Sequence, residues 1–119
     1  MALKRIILEV GHGNDMHGGD YTKAALRAVQ DAIHHSSLPF LRTLEVEPAT
    51  MQIEVTIAVQ QPDKVDKTAV GASVPHGQVT VKVVKGGLDV PDEERGGAAV
   101  IATATVAVRL DLEAHLAGN

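Results

Sequence analysis

The 119-residue chain predicts a single α+β domain. It reads as a strand, one long helix, then further strands, giving a mixed or largely antiparallel sheet of about four strands with the main helix on one face. Three observations point to this class. The N-terminus carries a short alternating apolar run, a helix-period window follows it, and three later runs place apolar residues at every second position. A chain of this size buries about two-thirds of its unfolded surface, enough for one core and no second domain.

Taken in order, LKRIILEV (3–10) alternates, with Ile6, Leu8 and Val10 on one face and Arg5, Ile7 and Glu9 on the other. The glycine-rich GHGNDMHGGD (11–20) ends that strand and reads as a loop. From Tyr21 to about Ser36, Leu26, Val29 and Ile33 recur at helical spacing beside Ala25, Ala28 and Ala32, with Lys23, Arg27, Gln30, Asp31 and His34 opposite. Asp20 suits the N-cap, and SSLP (36–39) closes the helix, with His34 and His35 in its last turn. After a connector containing a short candidate strand, LRTLEV, MQIEVTIAVQ (51–60) turns Met51, Ile53, Val55, Ile57 and Val59 inward. QPDKVDKTAVGASVPHG (61–77) is a polar connection with a helical turn at its start, and Pro75 and Gly77 turn it into the strand QVTVKVVK. A Gly86-Gly87 turn, an acidic loop over 88–97 and a long strand over 98–112 complete the domain.

One helix covers only one face of such a sheet. The other face carries Ile101, Thr103, Thr105, Ala107 and Ala58, a weakly polar surface that predicts a covering subunit, or else the 61–77 segment folded across it.

Composition narrows the function. Aromatic residues make up 2%, with one Tyr, one Phe and no Trp, so Val, Ala, Ile and Leu fill the core. A net charge of −4, no basic run and few stacking rings argue against nucleic-acid binding. The absence of cysteine removes disulfide and thiolate chemistry and fits a reducing cytoplasm. The apolar stretch after Arg5 is too short for a signal peptide. GGAAVIATATVAV (96–108) is short of the roughly 18 residues a membrane span needs, so no membrane partner is expected.

The chemistry-bearing residues concentrate in VGHGNDMHGGDY, where His12, Asp15, His17 and Asp20 stand among Gly11, Gly13, Gly18 and Gly19. A loop between the end of a strand and the start of a helix presents free N–H groups, so the four glycines are candidate ligand-binding positions. The glycine spacing is neither a dinucleotide fingerprint nor a P-loop, and Asp15 and Asp20 repel an anion. Two imidazoles with carboxylates suit a divalent metal such as Zn, Mn or Fe(II), with His12, Asp15 and His17 as ligands and His76 a remote fourth if the fold brings it near. A metal-free alternative has Asp15 and His17 transferring protons on a small polar substrate. Turn chemistry competes for the same residues: Asp20 as N-cap, Asp15 as an Asx-turn residue, glycines at positive φ. His115, Lys67, Lys82, Lys85 and DEER (92–95) read as solvated surface.

GHGNDMHGGDYTKAALRAVQDAI resembles a small family of conserved hypothetical bacterial proteins, with plant relatives, marked by an N-terminal G-x-G-x-D-x-H-G motif. Gly11, Gly13, Asp15, His17 and Gly18 match it. The resemblance continues through Thr22, Ala24, Arg27-Ala28-Val29, the SLP after the helix, Pro75-x-Gly77, Gly86-Gly87-Leu88 and the Ala-rich last strand. His12 stands where the family usually has an apolar residue, which shifts weight to Asp15 and His17. The resemblance implies no assigned activity. The element order is also similar to chorismate-mutase-like and tubulin C-terminal-like folds, whose small domains often form rings or trimers with ligands between subunits. Ring-opening amidohydrolases use comparable modules, but no Ser-Lys arrangement is evident here. The reading is therefore a homo-oligomer with a small-molecule site at 11–20, either an enzyme, a non-catalytic binding or regulatory ring, or a purely structural interface loop.

Overall fold

The computed structural model describes residues 3–34, 50–74 and 77–111. Among these residues, five strands form one mixed sheet: β1 (Lys4–Asp15), β2 (Gln52–Val59), β3 (Gln78–Lys85), β4 (Leu88–Pro91) and β5 (Ala98–Leu110). Helix α1 (Tyr21–His34) follows β1, and a 3-10 turn (Pro62–Lys64) with helix α2 (Lys67–Ala72) joins β2 to β3. The α+β class and the single face under the main helix are as the sequence predicts. The candidate strand LRTLEV, the SSLP stop, His35, Pro75, His76 and His115 lie outside the described residues.

The strand order is β1-β5-β2-β3, with β4 paired to β5. The long central β5 runs antiparallel to β1, β2 and β4, and β2 runs parallel to β3. Hence β1, β2 and β3 all point the same way, and their carboxyl ends share one rim of the sheet with the N-terminus of α1. A parallel pair cannot be closed by a hairpin, so the chain from β2 to β3 must cross a face. It crosses on the face that α1 occupies: Val65, Val70 and Val74 join the same buried cluster as Ala28, Val55 and Val106. The described part of the 61–77 segment, residues 61–74, therefore does not fold across the second face.

Strand β4 occupies the beginning of the segment that reads as an acidic loop. Where β2 leaves the ladder after Ala58, opposite Thr103, β4 takes it up with Leu88 opposite Ile101. The chain changes line at Gly86-Gly87, whose two carbonyls both accept from Gln60 Nε2, at 3.0 and 3.1 Å.

The first strand is longer than its apolar pattern suggests. β1 runs on to Asp15, and Gly11 and Gly13 lie within it, paired with Ala104 and Ala102. Their faces are filled by α1: a Cβ at Gly11 would lie 2.3 Å from Ala28 O and Ala32 N, and one at Gly13 would lie 2.2 Å from Ala28 N. This close approach also sets the helix's orientation. Ala24, Ala25, Ala28, Val29 and Ala32 are buried, whereas Leu26 and Ile33 are only partly so, because small side chains alone fit against a glycine strand.

On the far side of the sheet, Leu8 (47% exposed), Val10 (51%), Leu88 (55%) and Val90 (45%) stand open beside half-exposed Ile101, Thr103 and Thr105. No helix among the described residues is long and apolar enough to cross a membrane.

Candidate functional site

Asp15, the last residue of β1, faces inward and is 5% exposed. Its Oδ2 accepts from the backbone N–H of Asp20 at 2.8 Å, and Arg27 Nη1 lies 3.8 Å from Oδ1. The Asp20 N–H is the chief reason that the carboxyl titrates below its ordinary value; Lys23 and Arg27 lower it further, and burial opposes them. Asp15 is thus an ionised anchor that closes the 16–20 loop onto the start of α1. Gly18 fits against it, since a Cβ there would meet Asp15 Oδ2 at 2.8 Å. Gly19 has φ +61°, a conformation that favours glycine. Asp20 caps the helix, accepting from Lys23 N at 3.0 Å.

His17 stands on the other side of this loop. It lines an open cleft of about 490 Å³ with Met16, Val90, Pro91, Ala99 and the acidic residues Asp92, Glu93 and Glu94. Val90 and Ala99 are cross-strand partners, on the sheet face opposite Asp89 and Val100. The cleft therefore opens onto the uncovered apolar face. Asp92 shapes its wall: its Oδ1 accepts from Glu94 N and Arg95 N, both at 3.1 Å, which folds the loop back.

Beneath the sheet, at the same rim, lies a polar cluster. Asp89 and Asp15 flank Val100 on the helix face, each paired with it across the ladder. Strand spacing sets their Cα atoms about 10 Å apart. The Tyr21 hydroxyl donates to Asp89 Oδ2 and accepts from Gln61 Nε2 at 2.9 Å. The Asp89 bond, with burial, raises the phenol above its ordinary value. Lys64 Nζ lies 5.9 Å from the centre of the Tyr21 ring. Asp89 Oδ1 is buried and has no hydrogen-bond partner among the described residues.

The sequence matches the conserved hypothetical protein family Lin0512_fam over residues 5–108. The chain belongs to that family. An FtsZ-like protein of unknown function from Nostoc punctiforme, a solved structure, is 38% identical to this Lin0512_fam chain with a TM-score of 0.81. The alignment covers 92% of this chain and 98% of that one. None of the curated proteins matches it.

Against the sequence reading, the Lin0512_fam fold separates residues that lie close in the chain. Gly11 and Gly13 are helix-packing positions inside a strand, not ligand-facing loop glycines; only Gly18 and Gly19 belong to the loop. His12 lies on the exposed face of β1, its Nδ1 3.3 Å from Thr103 Oγ1, while Asp15, three residues on, faces the helix. Alternation along a strand keeps those two side chains from sharing one ion. Among the described residues, no group of three His, Asp or Glu side chains is placed to hold a metal, and His76 lies outside them. No hydrogen bond links Asp15 to His17 among the described residues. The Tyr21-Asp89-Gln61 cluster was missed because Asp89 sits in a segment that reads as an acidic loop. Its one signal is LDVP, where Leu88 and Val90 alternate with a single carboxylate.

Proposed function

We propose that this Lin0512_fam protein is a homo-oligomeric binding protein for a small polar molecule, seated at His17. The observation that carries the reading is the cleft itself. At about 490 Å³ it falls within the size range of small-molecule sites. Its lining mixes Met16, Val90, Pro91 and Ala99 with His17 and three acidic residues, Asp92, Glu93 and Glu94. An imidazole both donates and accepts hydrogen bonds, whereas the acidic wall favours neutral or cationic ligands over anions. The cleft opens on the apolar sheet face, where a second copy would bury Leu8, Val10, Leu88 and Val90 and roof the site. Asp15 then serves to hold the loop that presents His17, and the binding ring is favoured over proton transfer by an Asp15–His17 pair.

Size-exclusion chromatography with light scattering tests the assembly; a strict monomer at micromolar concentration refutes it. A thermal-shift screen of small neutral, cationic and anionic metabolites tests the site. The expected result is stabilisation by neutral molecules that disappears in a normally folded His17→Ala variant. Stabilisation by a neutral ligand that survives His17→Ala removes the cleft from consideration. Turnover of a bound ligand, lost with His17, would make the protein an enzyme.

A further inference from the structure

The polar cluster on the helix-covered face points to a second site, independent of the His17 cleft and on the opposite side of the sheet. Three acceptors lie there together. Asp89 Oδ1 is buried without a partner, Tyr21 Oη has acceptor capacity beyond its bond from Gln61, and Gln61 carries its own amide oxygen. A buried carboxylate oxygen without a donor costs stability that a hydrogen-bonding ligand restores. The surroundings also favour a cation: Lys64 already places its ammonium over the Tyr21 ring, and the phenol's hydrogen-bond partners are one carboxylate, Asp89, and one neutral amide, Gln61. Position agrees with chemistry. The cluster lies where β1, β2 and β3 end and α1 begins, the rim at which open α/β sheets take ligands.

We propose that Asp89, Tyr21 and Gln61 form a receptor for a primary ammonium group on a small molecule. Its N–H donors fill Asp89 Oδ1 and the neighbouring acceptors, and Lys64 is the charge that it displaces from the ring.

The chain has one tyrosine and no tryptophan, so tyrosine emission reports this site alone. The full-length protein is titrated at constant ionic strength with methylammonium and, separately, with tetramethylammonium, which has the same charge and no N–H donor. Methylammonium is expected to give a saturating change in emission, and tetramethylammonium none. Lys64→Ala removes the competing cation and should tighten the response, whereas Asp89→Asn should weaken it at least about tenfold. Equal responses to the two ions overturn the proposal. So does the absence of any saturable response in both the wild type and Lys64→Ala, the result expected if Asp89 Oδ1 holds only an ordered water. Should Asp89→Asn fail to fold, the comparison of the two ions on the wild-type chain decides alone.

Discussion

Replacing Gly13 by alanine adds one methyl group at the point where β1 and α1 touch backbone to backbone. The new Cβ would lie 2.2 Å from Ala28 N, 2.4 Å from Ala24 O and 2.7 Å from the carbonyl carbon of Arg27. Ordinary carbon contacts lie near 3.5 Å, so the overlap is about 1 Å against atoms that no rotamer change can move. Relief requires α1 to lift from the sheet along the Ala24, Ala28 and Ala32 stripe, opening voids between buried alanines and Val100, Ala102 and Ala104. Overpacking a core costs about 1–3 kcal/mol where side chains can yield, and a rigid backbone places Gly13→Ala at about 3 kcal/mol or above. Urea unfolding followed by far-UV circular dichroism measures it, with Gly71→Ala as the matched control. Gly71 lies in α2, where an added Cβ would meet Val81 Cγ2 at 3.5 Å, an ordinary contact, so that change should be neutral or stabilising by up to about 1 kcal/mol. A loss below about 1 kcal/mol in Gly13→Ala would refute the packing explanation. If ligand binding vanished in that stable variant, Gly13 would return to the site.

Three further outcomes follow from the rim of the sheet. Spectrophotometric titration of the single tyrosine should give a midpoint above its ordinary value of 10.0, because Asp89 binds the protonated phenol. The folded state then holds that proton more tightly than the unfolded chain, so this contribution to stability is present below pH 10 and declines as pH rises through the folded value. Asp15 has the opposite sign. Its folded value lies below 3.8, so its contribution is complete above that pH and is lost as pH falls through the folded value, with carboxyl chemical shifts as the readout. Asp20→Ala removes the acceptor of Lys23 N and should cost about 1 kcal/mol in urea unfolding, with α1 otherwise intact.

Most of the secondary structure was legible because its signals are local. Met51, Ile53, Val55, Ile57 and Val59 alternate without interruption and all five are buried. The spacing of Val29 with Ala25, Ala28 and Ala32 marked α1, and Asp20 marked its start. Gly11 and Gly13 misled for an equally local reason. Glycine is a common loop residue, and nothing in the chain nearby says that a helix eleven or more residues later will occupy the space a side chain would need. Asp89 was hidden likewise: an acidic residue between prolines and glycines reads as solvated until β5 pairs with it and Tyr21 reaches its oxygen.

The sequence by itself determined the α+β class, the helix and its cap, the period-two strands and the concentration of chemistry around residues 12–20, since each depends on residues within a few positions of one another. Tertiary structure alone decided how those residues were distributed. Strand alternation put His12 and Asp15 on opposite faces, the Asp20 N–H claimed Asp15, and pairing with the long central strand brought Tyr21 and Asp89 together across 68 residues of chain. Side-chain periodicity is written into neighbouring residues, whereas register and packing are settled only when distant segments meet.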